Sequence, residues 1–435
     1  MPVNPAAFSG GAGTTFNAGK EAYSTPLTNL TRTHRREFVV GNSFFKDNWV
    51  SAPATAGNRD GLGPLFHARS CSSCHVQDGR GAPPVADEVM TGLLLRLSVP
   101  GSSGPVPDSV YGNQIAVRAL PGTDPEADVR VRWGESEIAL AGGETFKLRR
   151  PDIEIVRWYY GEPAAGIMIS PRLAPPVFGG GLLEAVPESA IEALADPDDK
   201  DHDGISGRVN HIVDAKSGRK RAGRFGWKAS VPSLRVQAAE AFAGDIGITT
   251  NEHPQENYTA AQAPKLGSQP DGGKPEADAL IMDRMESYLR GLGVPARRNP
   301  SDAAVQQGES VFRSLNCTAC HVPELRTGGD YPMTELRDQT IRPYTDLLIH
   351  DMGADLADHR PDGEAGGTEW RTPPLWGLGL NATVNGNTFY LHDGRARTIT
   401  EAILWHGGEA SKSRDAFKRT AKESRAAVIT FLESL

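Results

Sequence analysis

Apolar and polar positions along this chain fall into two periods separated by Gly/Pro-rich stretches. Helical spacing runs through residues 276–289 and stops at Gly291-Leu292-Gly293-Val294-Pro295-Ala296-Arg297-Arg298-Asn299-Pro300, a break that reads as a linker. It returns over residues 302–312, 233–241 and 398–405, each expected to be a helix. Short β-like runs at 114–119, 129–133 and 152–158 read as strands embellishing a helical first part. The pattern predicts two domains, 1–292 and 293–435. No stretch approaches the roughly 18 apolar residues that a bilayer-spanning helix needs, so the chain is expected not to span a membrane.

Composition narrows the function classes. A chain of 435 residues with 38% hydrophobic content can bury one large core or two ordinary ones. Its formal net charge of −8 argues against nucleic acid as a partner. The most informative count is four cysteines, all inside two pentapeptides, Cys71-Ser72-Ser73-Cys74-His75 and Cys317-Thr318-Ala319-Cys320-His321. No thiol is left over for a disulfide.

Two thiols three positions apart can add to the two vinyl groups on one edge of a porphyrin, and the next residue then places an imidazole beneath the iron. Two covalently bound haem c groups are therefore expected. The competing readings are a zinc site shared by the two pairs, which leaves both histidines unexplained, and a thioredoxin-like pair, which would want a βαβ setting. The second motif instead follows a helix pattern. Haem c is normally attached outside the cytoplasm, so a periplasmic location is expected, with an export signal removed ahead of Met1-Pro2-Val3-Asn4-Pro5.

A weak internal repeat extends beyond the pentapeptides. Arg172-Leu173-Ala174-Pro175-Pro176-Val177-Phe178-Gly179-Gly180 resembles Arg371-Thr372-Pro373-Pro374-Leu375-Trp376-Gly377, and Phe225-Gly226-Trp227-Lys228-Ala229 parallels Leu391-His392-Asp393-Gly394-Arg395-Ala396. Each is followed by a helix pattern. The expected fold class is mainly α, two cytochrome c-like haem domains with a β-containing insertion in the first.

Over Gly63-Pro64-Leu65-Phe66 through Pro84, 172–188, 196–210, 224–249, 343–358 and 369–435, the chain resembles the di-haem oxidoreductases related to bacterial di-haem cytochrome c peroxidases. The resemblance covers most of the chain. It implies one haem as reaction site and the other as electron relay. Some relatives carry a thiol oxidoreductase label, which gains no support where no spare cysteine exists for exchange.

In the peroxidases the helix after the His-Asp-Gly turn supplies the ligand opposite the second haem's own histidine. The comparable helix here ends on His406, which is expected to fill that place; the rival is Met352, and the plain alternative is a surface histidine. The paralogous helix in the first part holds neither His nor Met, so the first iron is expected to be open or loosely capped by His34, His211 or His253, whereas His67, only eight residues before His75, is poorly placed to reach the opposite face. The peroxidases place an acid on this helix, where this chain is expected to have Arg235. Glu184 is the candidate replacement acid or base, or else a helix-start carboxylate. Trp227 is a candidate for the open face or for the electron route, or else core. Arg395 belongs to a turn and is expected to meet a haem propionate.

Asp199-Lys200-Asp201-His202-Asp203-Gly204-Ile205 has the spacing that wraps oxygen atoms around Ca²⁺, with Ile205 contributing its carbonyl and Asn210 at the twelfth place. The alternative is a solvated acidic loop. The function expected overall is peroxidase-like: a small redox substrate at the first haem, and an external electron donor or acceptor protein at the second. An electron carrier without substrate chemistry and a haem-dependent oxygenase are the alternatives.

Overall fold

A computed structural model describes residues 4–85, 88–102, 104–214 and 217–435; residues 1–3, on which the reading of the N-terminus partly rests, lie outside them. Six helices frame the functional region: Arg32–Lys46 (α1), Leu234–Ala241 (α2), Ala279–Gly291 (α3), Ala303–Ser314 (α4), Ile399–Leu404 (α5) and Lys422–Ser434 (α6). Capping side chains start most of them. Thr31, Ser233, Asp278, Asp302 and Thr398 each accept a hydrogen bond from a first-turn amide.

Two of these helices cross others through glycine. In α1, Phe38, Gly41 and Phe45 form the buried stripe, and a Cβ on Gly41 would lie 2.1 Å from the Arg284 carbonyl of α3. In α4, Val305, Gly308 and Phe312 do the same, and a Cβ on Gly308 would lie 1.9 Å from the Ala427 carbonyl of α6. Each pentapeptide thus follows a helix that packs backbone to backbone against a later one. The sequence showed only the second pair's leading helix.

The expectation of a mainly α chain is corrected: helix content is 29%, and the content is mixed. The 48 glycines and 32 prolines keep long connections irregular, and the insertion is β-rich. Strand Leu93–Gly101 (β1) pairs antiparallel with Met168–Leu173 (β4), from Leu93 opposite Leu173 to Ser98 opposite Met168. Between them Ala127–Ala139 (β2) and Thr145–Trp158 (β3) form a long hairpin, from Ala127 opposite Trp158 to Ala139 opposite Thr145. The expected strands at 129–133 and 152–158 lie in this hairpin, whereas 114–119 yields only Arg118–Ala119.

The main core crosses the Pro/Gly break. Phe38, Leu182, Leu234 and Met282 pack in one cluster with Leu336, Ile341, Leu348 and Trp376. A second cluster joins α4, α5 and α6 to Trp227 and to Leu140 and Leu148 of the hairpin. No described helix is long and apolar enough to cross a membrane.

Candidate cofactor cavities

Two cavities open in these cores, one around each pentapeptide. The first, about 1850 Å³ counted to its mouth, is lined by Cys71, Cys74 and His75. His75 Nδ1 donates to the Pro175 carbonyl at 2.7 Å, which leaves Nε2 as the free lone pair. Burial pushes this imidazole down, toward the neutral form that ligates metals. Phe45 backs it at 6.1 Å between ring centroids.

Part of the wall is α2, which presents Leu234, Gln237, Ala238, Glu240 and Ala241, followed by a π-turn over Phe242–Ile246 that adds Asp245. Burial raises the Glu240 carboxyl above its ordinary range, opposed by the Arg96 guanidinium. Among the described lining residues His75 is the only imidazole and Met285 the only thioether. Met285 belongs to α3, whose Tyr288 meets Phe45 at 5.2 Å, so this helix stands on the His75 side.

The second cavity, about 1420 Å³, is lined by Cys317, Cys320 and His321. His321 Nδ1 donates to the Tyr344 carbonyl at 2.9 Å. Burial, with His406 adding to it, pushes His321 down to about 4. His406 follows α5, also lines the cavity, and its Nδ1 donates to the Ala402 carbonyl at 2.8 Å. Its Nε2 is thereby the free nitrogen, as in the other two histidines. Met352 lines the same cavity.

A residue not assigned from sequence is His350, 3% exposed. Its Nε2 meets Asp346 Oδ2 at 2.9 Å and its Nδ1 meets Glu409 Oε2 at 2.7 Å. Although burial works against it, bonds to Asp346, Cys320 and Glu409 raise this imidazole well above its ordinary value. Both nitrogens are engaged, so it is a clamp and not a ligand. Glu409 also accepts from Ser206 N at 3.1 Å, tying the acidic loop to this cavity.

Arg80, Trp227, Arg371, Pro373 and Pro374 line both cavities and form the wall between them. Trp227 is fixed by its Nε1, which donates to the Leu173 carbonyl at 2.7 Å, and the Arg80 guanidinium lies 5.5 Å from its ring centroid. Arg80 and Arg371 are 6% and 8% exposed. Among the described residues neither forms an ion pair: Arg80 Nε is unbonded, and Arg371 donates to the carbonyls of Gly226 and Thr372, with the Asp346 carboxylate acting on it from farther off. Burial pushes both guanidinium groups down to about 10. Buried cations outside any ion pair fit a group that brings its own carboxylates, as haem does.

The rival cysteine chemistries do not fit. Burial pushes the Cys71 and Cys317 thiols up to about 12, the reverse of a redox-active thiolate. Among the described residues, no metal-type cluster joins the two cysteine pairs.

The family described as "di-haem oxidoreductase, putative peroxidase" matches residues 4–99 and 105–435. The chain belongs to the di-haem oxidoreductase family. Family membership carries haem cofactors and oxidoreductase chemistry. Comparison with the curated proteins and with the solved structures gives no match.

Within this di-haem oxidoreductase several expected site residues fall elsewhere. Glu184 does not line either cavity. Its carboxylate accepts from Leu234 N at 2.9 Å, pairs with Arg290 at 2.7 Å and is bonded by Tyr331, which places it at the start of a helix. Arg395 likewise misses both cavities. Its guanidinium is taken by Asp393 at 2.7 Å and the Asp355 carbonyl at 2.6 Å, and it lies over Trp405. Arg235 points to Glu252, Asp283 and Glu286. His34, His67, His211 and His253 are absent from the first cavity's lining.

In the acidic loop the carboxylates of Asp199, Asp201 and Asp203 offer oxygens within 4.8 Å of one another. Asn210 does not join them. It is 0% exposed, its amide donates to the carbonyls of Lys228 and Asp362, and its oxygen accepts from Glu364 N. Ile205 ends the loop against the second cavity.

Proposed function

We propose that this di-haem oxidoreductase holds two haem c groups, at Cys71, Cys74 and His75 and at Cys317, Cys320 and His321. It reduces a small oxidant such as peroxide at the first with electrons received at the second. When bound, haem c supplies an iron that exchanges single electrons and, where its sixth position is free, takes up a small oxidant. The observation that carries this reading is the asymmetry of the cavities: a further carbonyl-oriented imidazole, His406, lines the second beside His321, while the described lining of the first holds Glu240 of α2 and no imidazole besides His75.

His406 closes the second site to small molecules and commits it to electron relay. In the first cavity burial works against the Glu240 carboxylate and raises its affinity for a proton, and in its protonated form it can deliver that proton to a bound oxidant. Arg96 steadies the charge left behind. Trp227 bridges the two cavities as the electron path, and Arg80 and Arg371 neutralise the cofactor carboxylates. Domains 1–292 and 293–435, each cytochrome c-like, are supported by the two glycine-crossed helix pairs. Asp199, Asp201, Asp203 and the Ile205 carbonyl are assigned to Ca²⁺ in a structural role. We place the protein in the periplasm, facing an external redox protein.

The test is turnover of hydrogen peroxide with an artificial electron donor. Glu240→Gln is expected to lose on the order of 100-fold in kcat/KM with two haems still attached. Wild-type protein with both haems that reduces neither peroxide nor dioxygen would leave the electron-carrier reading.

A further inference from the structure

The β2–β3 hairpin leaves the first part of the chain and ends on the second. Leu140 and Leu148 at its tip are 6% and 8% exposed and pack in the same cluster as Ile399, Leu404, Trp405 and Phe417, with Ile138 and Phe146 against it. The tip backbone is tied as well. Ala141 N donates to the Lys418 carbonyl at 2.9 Å, and Glu144 takes Lys422 Nζ at 2.6 Å and the Arg425 guanidinium. No hairpin residue lines the second cavity, so this packing does not build its wall.

What the hairpin touches is α5, the helix that leads to His406. Arg149 N, in β3, donates to Glu401 Oε1 at 2.6 Å, and the Arg149 guanidinium donates to the Gly394 carbonyl at 2.8 Å. Glu401 is 2% exposed. Its other oxygen accepts from Arg397 N at 2.8 Å and Arg397 Nε at 3.0 Å. Arg397 reaches back to the hairpin, to Glu135 at 2.7 Å and the Lys147 carbonyl at 3.0 Å. The residue after Glu401 is Ala402, whose carbonyl orients His406. A helix of 6 residues does not hold itself in water, so the direction of α5 is set by what anchors it. A carboxylate buried this deeply persists only when its oxygens are fully bonded, and here the donors come from the hairpin and from the arginine that grips it.

We propose that the hairpin, acting through Glu401, is the positioning element that aims His406 at the second haem iron. Glu401 is a positioning residue: it touches neither cofactor nor substrate, and it fixes α5 so that the Ala402 carbonyl and the His406 ring keep their mutual geometry. The proposal rests on the reading of His406 as the ligand. It assigns the β-containing insertion a task at the haem of the other part of the chain.

The experiment uses the full-length, haem-loaded protein in four forms: wild type, Glu401→Gln, Phe146→Ala at the hairpin tip, and His406→Ala. Each is examined by low-temperature EPR when oxidised and by carbon monoxide uptake when reduced. Glu401→Gln keeps the size but turns one acceptor into a donor facing a backbone or guanidine N–H. Expected for it and for Phe146→Ala are two attached haems, an unchanged first-haem spectrum, and a fraction of second haem that binds carbon monoxide. Added imidazole should restore the low-spin signal. Should His406→Ala lose the second-haem signal while both other variants merely melt earlier with that signal intact, the hairpin does not position the ligand. If His406→Ala itself leaves the signal unchanged, the ligand assignment falls and the proposal falls with it.

Discussion

At His75, His321 and His406 the imidazole is oriented from behind, its Nδ1 bonded to a backbone carbonyl, so that Nε2 is the nitrogen turned to the cavity. The first two were legible because the Cys-x-x-Cys-His pattern fixes residue type and spacing together. His406 was legible through a family resemblance, and its carbonyl partner was not. His406→Met is expected to raise the second haem's midpoint potential, within the roughly 0.8 V range over which axial ligands act, while both haems stay attached. An unchanged redox titration would remove His406 from the iron. The place of Glu240 in the cavity lining was not read from sequence, because the repeat was matched at Arg235, which the helix turn sends outward to Glu252 and Asp283. The available signal was a polar pair, Gln237 and Glu240, three apart on an otherwise small and apolar stretch of α2.

Among the elements, α2, α3, α4 and α5 were readable from period alone, whereas α6 was not, and neither was α1. Its buried stripe is only Phe38, Gly41 and Phe45, and Val39 and Val40, 65% and 46% exposed, blur the pattern. The hairpin was read as two short runs because only Ala127, Val131 and Leu148 of its strand residues are buried, which leaves little regular alternation to follow. Backbone contact at the two crossings makes a sharp expectation: Gly308→Val should cost about 2 kcal/mol or more in denaturant unfolding, by overpacking α4 against α6. The same change at the exposed Gly134, which has nothing near its Cβ direction, should cost far less. For the acidic loop, removal of Ca²⁺ by a chelator is expected to lower the melting temperature, and Asp201→Asn to abolish that response. No bound calcium and no chelator effect would return the loop to a solvated acidic turn.

Over the whole molecule the break at residue 292 was visible in sequence, but the core that runs across it was not, since long-range packing leaves no local period. The N-terminal segment reinforces the join, with Tyr23 Oη donating to the Gly377 carbonyl at 2.6 Å. Thermal unfolding followed at both haems is therefore expected as one transition; two separated transitions would mean the parts fold independently. Glu335 belongs to the same join. Burial works to raise its carboxyl, but bonds from the Thr31 amide and the His34 ring bring it down to about 2. Its stabilisation is present above the unfolded carboxylate value and is lost as pH falls toward 2. Glu335→Gln should thus melt earlier than wild type at pH 7, with the gap closing near pH 2. The division of labour between two unlike haem sites is tested most directly by low-temperature EPR of the oxidised protein, followed by carbon monoxide addition after reduction. One low-spin haem that ignores carbon monoxide beside one haem that is high-spin or binds it is the expected result; two low-spin haems that both ignore it, even when half reduced, would contradict a reaction site at the first haem.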